Sequence, residues 1–266
     1  MEPKISVIMG VFNCAPYLQE ALNSLYNQTF QDFEIILCDD GSSDDTYKIA
    51  LENSKLHNNI LLLKNESNKG LNYTLNRCLK FAKGEYIARM DGDDISLPDR
   101  FQKEIDFLNL NRIYSIVSTP MYYFDEDGIF MQGKGGKEPK KKDFMYSTPF
   151  CHAPCMVRRE AYLLVDGYSE DSKYFRVEDY HLWFKMYKAG FRGYILNEPL
   201  YKMRDSREAS KRRDFRNRLN ESLLKFMIWR EFSLPFWMGI YILKPFVALF
   251  LPNIIFSKIR KVGREL

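Results

Sequence analysis

Two rhythms of apolar and polar residues alternate along the first 110 positions of the chain. Ile5-Ser6-Val7-Ile8-Met9 is a short apolar run rich in β-branched residues, the pattern of a buried strand. Pro16 then opens a stretch in which Leu18, Ala21, Leu22 and Leu25 recur at helical spacing. Phe33–Cys38 is a second strand. It runs into Asp39-Asp40-Gly41-Ser42-Ser43-Asp44, where Ser and Asp can cap a helix through Tyr47, Ile49, Ala50 and Leu51. Ile60–Leu63 is a third strand. Leu71, Leu75, Cys78, Leu79 and Ala82 form a helical stripe with Gly84 as its expected stop. Glu85–Met90, a fourth strand, leads into Asp91-Gly92-Asp93-Asp94, and Pro98 starts a helix carrying Phe101, Ile105 and Leu108.

Four successive strand–helix units predict βαβ connections and a mostly parallel sheet covered on both faces. In such sheets ligands gather beyond the carboxyl ends of the strands, where both acidic clusters fall. The following section is less regular. Tyr114–Thr119 and Met121–Asp125 read as strands, Asp127-Gly128 as a hairpin turn and Gly133–Lys142 as a mobile Gly/Lys-rich loop. A helix near Arg158–Val165 precedes Gly167-Tyr168, and another runs from Glu178 to Ala189 with Gly190 as its stop.

The chain has 266 residues, of which 45% are hydrophobic and 28% charged, so it can bury a sizeable core and is neither disordered nor polytopic. The net charge of +4 is unevenly spread: residues 1–200 carry 24 basic and 29 acidic side chains, residues 201–266 carry 15 and 6. Confinement of the positive charge to the C-terminal quarter argues against a nucleic-acid partner. It suits an anionic membrane surface or a phosphate-bearing acceptor. Five scattered cysteines, and an N-terminus that enters a strand almost at once, lead to the expectation of a cytoplasmic protein with free thiols and no cleavable signal.

Several motifs compete for the chemistry. Gly128-x4-Gly133-Lys134 approaches a phosphate-binding loop, but Gly135 replaces the magnesium-holding Ser/Thr and no helical pattern follows. Cys151-His152-Ala153-Pro154-Cys155 lacks the second ligand pair of a zinc site. No dinucleotide fingerprint follows the first strand. Three carboxylates within Asp91-Gly92-Asp93-Asp94 repel one another, and a cation relieves that repulsion; hard oxygens select Mg2+ or Mn2+. A solvated acidic turn is the alternative. Glu178-Asp179 either complements a helix dipole or supplies a general base.

Taken together, Ile5-Ser6-Val7-Ile8-Met9-Gly10-Val11-Phe12-Asn13, Tyr17-Leu18, Ser24-Leu25, Asn27-Gln28-Thr29, Phe33-Glu34-Ile35-Ile36, Asp39-Asp40-Gly41-Ser42, Asn68-x-Gly70, Gly84-Glu85-Tyr86-Ile87, Asp91-Gly92-Asp93-Asp94, Gly167-Tyr168 and Glu178-Asp179-Tyr180-His181-Leu182-Trp183 resemble the family 2 glycosyltransferases of bacterial surface-polysaccharide type. The resemblance covers roughly residues 4–205. It implies the GT-A α/β fold, with a catalytic domain over 1–205 (nucleotide-binding half 1–110, acceptor half 111–205) and a basic, aromatic appendage over 206–266. It also assigns roles. Asp40 would accept a hydrogen bond from the nucleotide base, with Val11 and Asn13 lining the same pocket. Asp91 would touch ribose or the metal shell, and Asp93 would ligate a divalent cation, Mn2+ or Mg2+. Asp179 would be the catalytic base, with Glu178 as the lesser candidate. His152 would contact the acceptor or make a structural hydrogen bond. Where relatives carry Tyr-Arg-x-His this chain has Tyr201-Lys202-Met203-Arg204, so diphosphate contact by Lys202 or Arg204 is a departure-dependent expectation.

The implied activity is inverting transfer of a hexose from a nucleotide sugar, UDP-linked, to a hydroxyl of a lipid-diphosphate-linked glycan, as in O-antigen or capsule synthesis. Alternatives are transfer to a polyprenyl phosphate and a non-catalytic sugar-nucleotide or membrane-binding module. From Lys202 to Arg218 eight basic residues face three acidic ones; the uncharged runs Phe232–Leu243 and Pro245–Ser257 follow, of 12 and 13 residues. Each is too short to span a bilayer as a helix, and prolines interrupt them. The expectation is peripheral attachment to the inner face of the plasma membrane, with Trp229, Trp237 and Tyr241 near the headgroups. Packing of these runs on the catalytic domain and a kinked span formed by the two together are the alternatives. No feature of the sequence sets an oligomeric state.

Overall fold

A computed structural model describes residues 2–205 and 215–250. Its centre is a seven-stranded sheet built from β1 (Ile5–Val11), β2 (Phe33–Asp39), β3 (Ile60–Lys64), β4 (Tyr86–Arg89), β6 (Ile116–Ser118), β9 (Met156–Arg158) and β10 (Gly193–Ile195), in the order β10-β6-β9-β4-β1-β2-β3. Neighbours are parallel except around β9, which is antiparallel to both β4 and β6. The register pairs Val7 with Ile35, Ile8 with Ile36 and Met9 with Leu37. Successive residues therefore feed opposite faces: Ile8 and Ile36 join one core, Val7, Met9, Ile35 and Leu37 the other. That two-sided burial is why β1 reads as a continuous apolar run.

Helices α1 (Ala15–Tyr26) and α4 (Arg100–Leu110) supply Leu18, Leu22, Phe101, Ile105 and Leu108 to the second core. Helices α3 (Leu71–Leu79), α5 (Arg159–Leu164) and α6 (Glu178–Lys188) cover the first, and α2 (Thr46–Leu56) packs on α1. Asp44 ties two helix starts together, its carboxylate accepting from Thr46 N–H at 3.0 Å and Ala15 N–H at 3.1 Å. Helix α6 stops as its glycine predicts. Gly190 (φ 96°) donates to the Tyr187 carbonyl and Phe191 to that of Met186, the paired bonds of a left-handed cap.

A second sheet, in the order β5-β11-β7-β8, is built from β5 (Ile95–Ser96), β7 (Met121–Asp125), β8 (Gly128–Gln132) and β11 (Tyr201–Arg204). Gly128 (φ 113°) turns the expected hairpin from β7 into β8. Gly128 and Gly133 thus lie at the two ends of a strand, which removes the phosphate-loop reading.

Three expectations need correction. Gly84 does not stop α3, which ends at Leu79. A Cβ there would lie 2.5 Å from the Ser6 nitrogen, so glycine lets the chain cross β1 at close range. The Gly133–Lys142 segment is docked rather than mobile: Gly133 N–H donates to Met121 O, Gly136 to Ile195 O, and Lys137 bridges to Ile195. The appendage shares the core. Helix α7 (Phe215–Glu231) and the 3-10 turn Phe236–Ile242 bury Leu224, Ile228 and Met238 with α6, and α8 (Lys244–Phe250) follows. Trp229 is half-buried with its indole N–H on Pro235 O, and Tyr241 packs edge-on to Tyr146, so only Trp237 of the three proposed interfacial aromatics stands exposed, at 55%. No helix among the described residues is long and apolar enough to cross a membrane. Most of the basic stretch after Arg204, and the second apolar run beyond Phe250, lie outside the described residues.

Candidate active site

Strands β1, β2 and β4 all deliver their carboxyl ends to one edge of the sheet. Asp40, just past β2, anchors its backbone N–H on Val11 O at 2.8 Å. Its carboxylate accepts from Asn65 Nδ2 at 2.7 Å and from the N–H groups of Lys69 and Gly70, each at 2.9 Å. Asp40 therefore fastens the 65–70 loop across the edge. Gly41 permits this closeness, since a Cβ there would meet the Ser67 backbone at 2.7 Å. A cavity of about 730 Å³ opens beside Asp40, with Val11, Gly70, Arg176 and Glu178 among its walls. Arg176 holds a left-handed φ of 66° at its rim. Asn13 (φ 48°) lies nearby, but its side chain accepts from Ser43 N–H and it is not a wall residue.

The second acidic cluster lies against the end of β1. A Cβ on Gly92 would sit 2.9 Å from Val11 Cγ1 and 2.7 Å from Cys14 Sγ, so glycine allows Asp91-Gly92-Asp93-Asp94 to press against the end of β1. Asp91 is ion-paired to Arg89, which is 3% exposed and whose Nε has no hydrogen-bond acceptor among the described residues. Burial, then the Asp91 charge, raise the Asp93 carboxyl above its ordinary range. Asp94 is raised well above that range by burial, Asp91 and Asp93, and its Oδ1 accepts from Arg204 N–H at 2.8 Å. The donor set fits Mg2+ or Mn2+, cations that take one or two carboxylates and complete their shell with water and phosphate oxygens. Among the described residues, no group of three or more His, Cys, Asp or Glu side chains is arranged to hold a metal alone.

Helix α6 presents Glu178 and Asp179 in its first turn. They part company there: Glu178 lines the cavity beside Asp40, whereas Asp179 lines a second one of about 700 Å³. Burial pushes the Asp179 carboxyl up to about 7, Glu178 adding to the effect, while the Tyr180 N–H at 2.7 Å and the Arg89 guanidinium oppose it. Arg89 lowers Asp93 as well, and the Cys151 thiol feels Asp179, Asp94 and Asp91 together. The acidic tetrad and α6 thus form one electrostatic unit.

The remaining candidates lie around this edge in different settings. His152 Nε2 is 2.6 Å from the Tyr168 hydroxyl, and burial with the Arg89 charge holds its pKa well below the ordinary value. The ring is neutral at physiological pH. Arg204 lies between the rings of Tyr17 and Phe124, with Nη2 on Glu20 at 2.7 Å and Nε on the Asp93 carbonyl at 3.0 Å. It braces the acidic loop with its guanidinium already engaged. Lys202 pairs in register with Ile95 and Tyr122 on β11. Sequence reasoning passed over Arg89, although a charged residue inside the apolar run Tyr86–Met90 was a visible signal. It also missed Asn65, which only the folded loop brings to Asp40.

The sequence pattern described as Glycosyl transferase family 2 matches residues 6–164. The chain belongs to that family. EpsE of Bacillus subtilis strain 168 is 40% identical over 260 residues, covering 97% of this chain and 94% of its own. An Escherichia coli UDP-Gal:alpha-D-GlcNAc-diphosphoundecaprenol beta-1,3-galactosyltransferase is 31% identical over 220 residues, covering 79% and 78%. Among solved structures, the mannosyltransferase PcManGT of Pyrobaculum calidifontis, in complex with GDP-Man and Mn2+, superposes with a TM-score of 0.66 at 17% identity, over 99% of this chain and 80% of that one. The fold is the GT-A glycosyltransferase fold, and the family 2 chain is a transferase enzyme.

Proposed function

We propose that this family 2 enzyme is a metal-dependent inverting hexosyltransferase, moving the sugar of a nucleotide donor, UDP-linked, onto a hydroxyl of a lipid-diphosphate-linked glycan in bacterial surface-polysaccharide synthesis. The observation that carries the reading is the division at the start of α6: Glu178 faces one cavity and Asp179 the other. An inverting transfer needs a donor on one side and, opposite, a carboxylate that takes the acceptor proton as its oxygen attacks the anomeric carbon. A carboxyl near 7 is matched to that work at neutral pH. The nucleotide would occupy the Asp40 cavity beside Val11 and Gly70. Asp93, helped by Asp91, would hold Mn2+ or Mg2+, which neutralises charge on a departing diphosphate. The E. coli relative's diphosphoundecaprenol acceptor and the Mn2+ of PcManGT support the acceptor class and the metal. Exposed Phe236, Trp237, Ile240 and Leu243 support attachment to the inner face of the plasma membrane.

The test is release of nucleoside diphosphate from a panel of nucleotide sugars, with Mn2+ or EDTA, using a synthetic alkyl-diphosphate GlcNAc as acceptor. Turnover is expected only with metal and acceptor together. Acceptor-independent release at the full rate would sink the transfer reading.

A further inference from the structure

The Gly133-Lys134-Gly135-Gly136-Lys137 loop has no part in the site as described so far, yet it is built with unusual strictness. A Cβ on Gly135 would lie 1.7 Å from Leu196 O, and one on Gly136 (φ 74°) 1.8 Å from Asn197 Oδ1. Only glycine fits either place, and the loop is pinned to β7 and β10 by Gly133 N–H on Met121 O at 2.8 Å and Gly136 N–H on Ile195 O at 2.8 Å. The backbones of the two lysines are therefore fixed relative to the sheet, and both lysines line the cavity that holds Asp179. Lys244, the first residue of α8, lines it too, its Nζ donating to Tyr146 O at 2.7 Å. The other carboxylate in the lining, Asp143, caps its own turn by accepting from Lys140 N–H at 2.8 Å. Beside Lys244 the surface turns apolar: Leu243 is 59% exposed, Ile240 70% and Val247 56%.

One cavity thus joins a carboxylate base, three ammonium groups and an apolar margin. A polyisoprenyl-diphosphate sugar carries the complementary groups: a hydroxyl to be deprotonated, a doubly negative diphosphate diester and a hydrocarbon chain. Resting on the transfer reading above, we propose that Lys134, Lys137 and Lys244 form the subsite for the acceptor's diphosphate, with the isoprenoid leaving over Leu243 and Val247 toward the membrane. Ammonium groups donate charge-assisted hydrogen bonds to diphosphate oxygens, and all three lysines share the lining with the proposed base. The volume of about 700 Å³ lies within the usual span of ligand cavities.

The test titrates the full chain with undecyl diphosphate, undecyl monophosphate and undecanol below their micelle concentrations, and separately with UDP. Lys134 and Lys137 are both exposed, so the Lys134→Gln/Lys137→Gln variant should fold normally; Lys244→Gln is run alongside it. Wild type is expected to prefer the diphosphate over the monophosphate, and the double variant to lose affinity for it by roughly tenfold per ammonium removed, with UDP affinity unchanged. Equal binding of undecyl diphosphate by wild type and variant overturns the subsite, as does a parallel loss of UDP affinity, which would assign the lysines to the donor. Lysine-dependent diphosphate binding without turnover of any nucleotide sugar upholds the subsite and sinks the transfer reading. Turnover with an acceptor KM unchanged in the variants does the reverse.

Discussion

Replacing Asp179 with Asn pulls apart the chemical and structural consequences of one carboxylate. The amide is isosteric and can still accept the Tyr180 N–H, so the first turn of α6 should keep its geometry. On the proposed mechanism what goes is the base, and a positioned base contributes about 10²–10⁴-fold, so kcat should fall by that factor with little change in UDP affinity. Stability should move the other way. The carboxyl is displaced from 3.8 to about 7 by burial and by Glu178, which at about 1.4 kcal/mol per tenfold change in proton affinity caps the penalty for ionising it at about 4 kcal/mol. Because part of Asp179 faces the open cavity, about 1–3 kcal/mol is the expected gain in the variant at pH 8. The sign follows from linkage. The folded protein holds this proton more tightly than the unfolded chain, so the group's contribution is fully present below about pH 4 and is lost as pH rises through about 7. The Asn variant escapes that loss. Its melting temperature should exceed that of wild type by several degrees at pH 8 and by less at pH 5.5, while wild-type kcat rises about tenfold per pH unit up to 7 and then levels. Nucleoside diphosphate release and thermal melts at the two pH values check both halves. A variant that keeps more than a tenth of kcat, or that melts below wild type at pH 8, would refute the reasoning.

Asp93→Ala should lose at least about 100-fold in kcat at saturating Mn2+ and make UDP binding indifferent to EDTA; UDP affinity that still drops on chelation would place the metal elsewhere. Gly84→Ala forces a Cβ to 2.5 Å from the Ser6 nitrogen and should cost about 1–3 kcal/mol, read as a lower urea midpoint, which an unshifted midpoint would disprove. Arg100 is fully buried, pairs with Glu104 at 3.2 Å and reaches the Arg89 carbonyl at 3.0 Å. Arg100→Met should destabilise by about 3–5 kcal/mol, since the Glu104 carboxyl and the carbonyls of Arg89, Ala153 and Cys155 lose a shared donor inside the core; a melting temperature within a degree of wild type would count against this.

The parallel half of the fold was legible because its signals are local. Ile5–Met9 or Phe33–Cys38 need only a buried slot, and each acidic turn follows its strand directly. Of the rest, Met121–Asp125 and its Asp127-Gly128 hairpin were legible, but β5 has two residues and β9 and β10 three each, too short for any periodicity to register. The glycines divided the same way. Gly190 stops a helix through its own φ, which sequence spacing can foretell, whereas Gly84, Gly135 and Gly136 answer to backbone elsewhere in the chain. Asp40, Asp91, Asp93 and Asp179 could be singled out by type and position. That Arg204 is spent on Glu20 and the Asp93 carbonyl, and that Arg89 lies under both acidic groups, depends on contacts 111 residues or more apart in one case and on burial in the other.

The reversed strand β9 explains how so dispersed a set meets. Strand β4 ends at Arg89 on the edge where β1 and β2 also end, and β9 pairs antiparallel with it, Met156 opposite Ala88. The residues just before β9 therefore arrive at the carboxyl end of β4, which places Cys151–Cys155 beside the acidic tetrad; Cys155 O accepts from Arg89 N–H at 3.1 Å. From that edge His152 binds Tyr168, and Phe150 and His152 pack on Trp183 of α6. A parallel β9 would have sent the same segment to the opposite edge. The aromatic packing holds α6 against the strand ends, and burial there, with Glu178 adding to it, pushes the Asp179 carboxyl up to about 7. If Asp179 is the proposed base, changes to His152 or Trp183 should accordingly appear first in the pH profile of turnover, before any loss of nucleotide affinity.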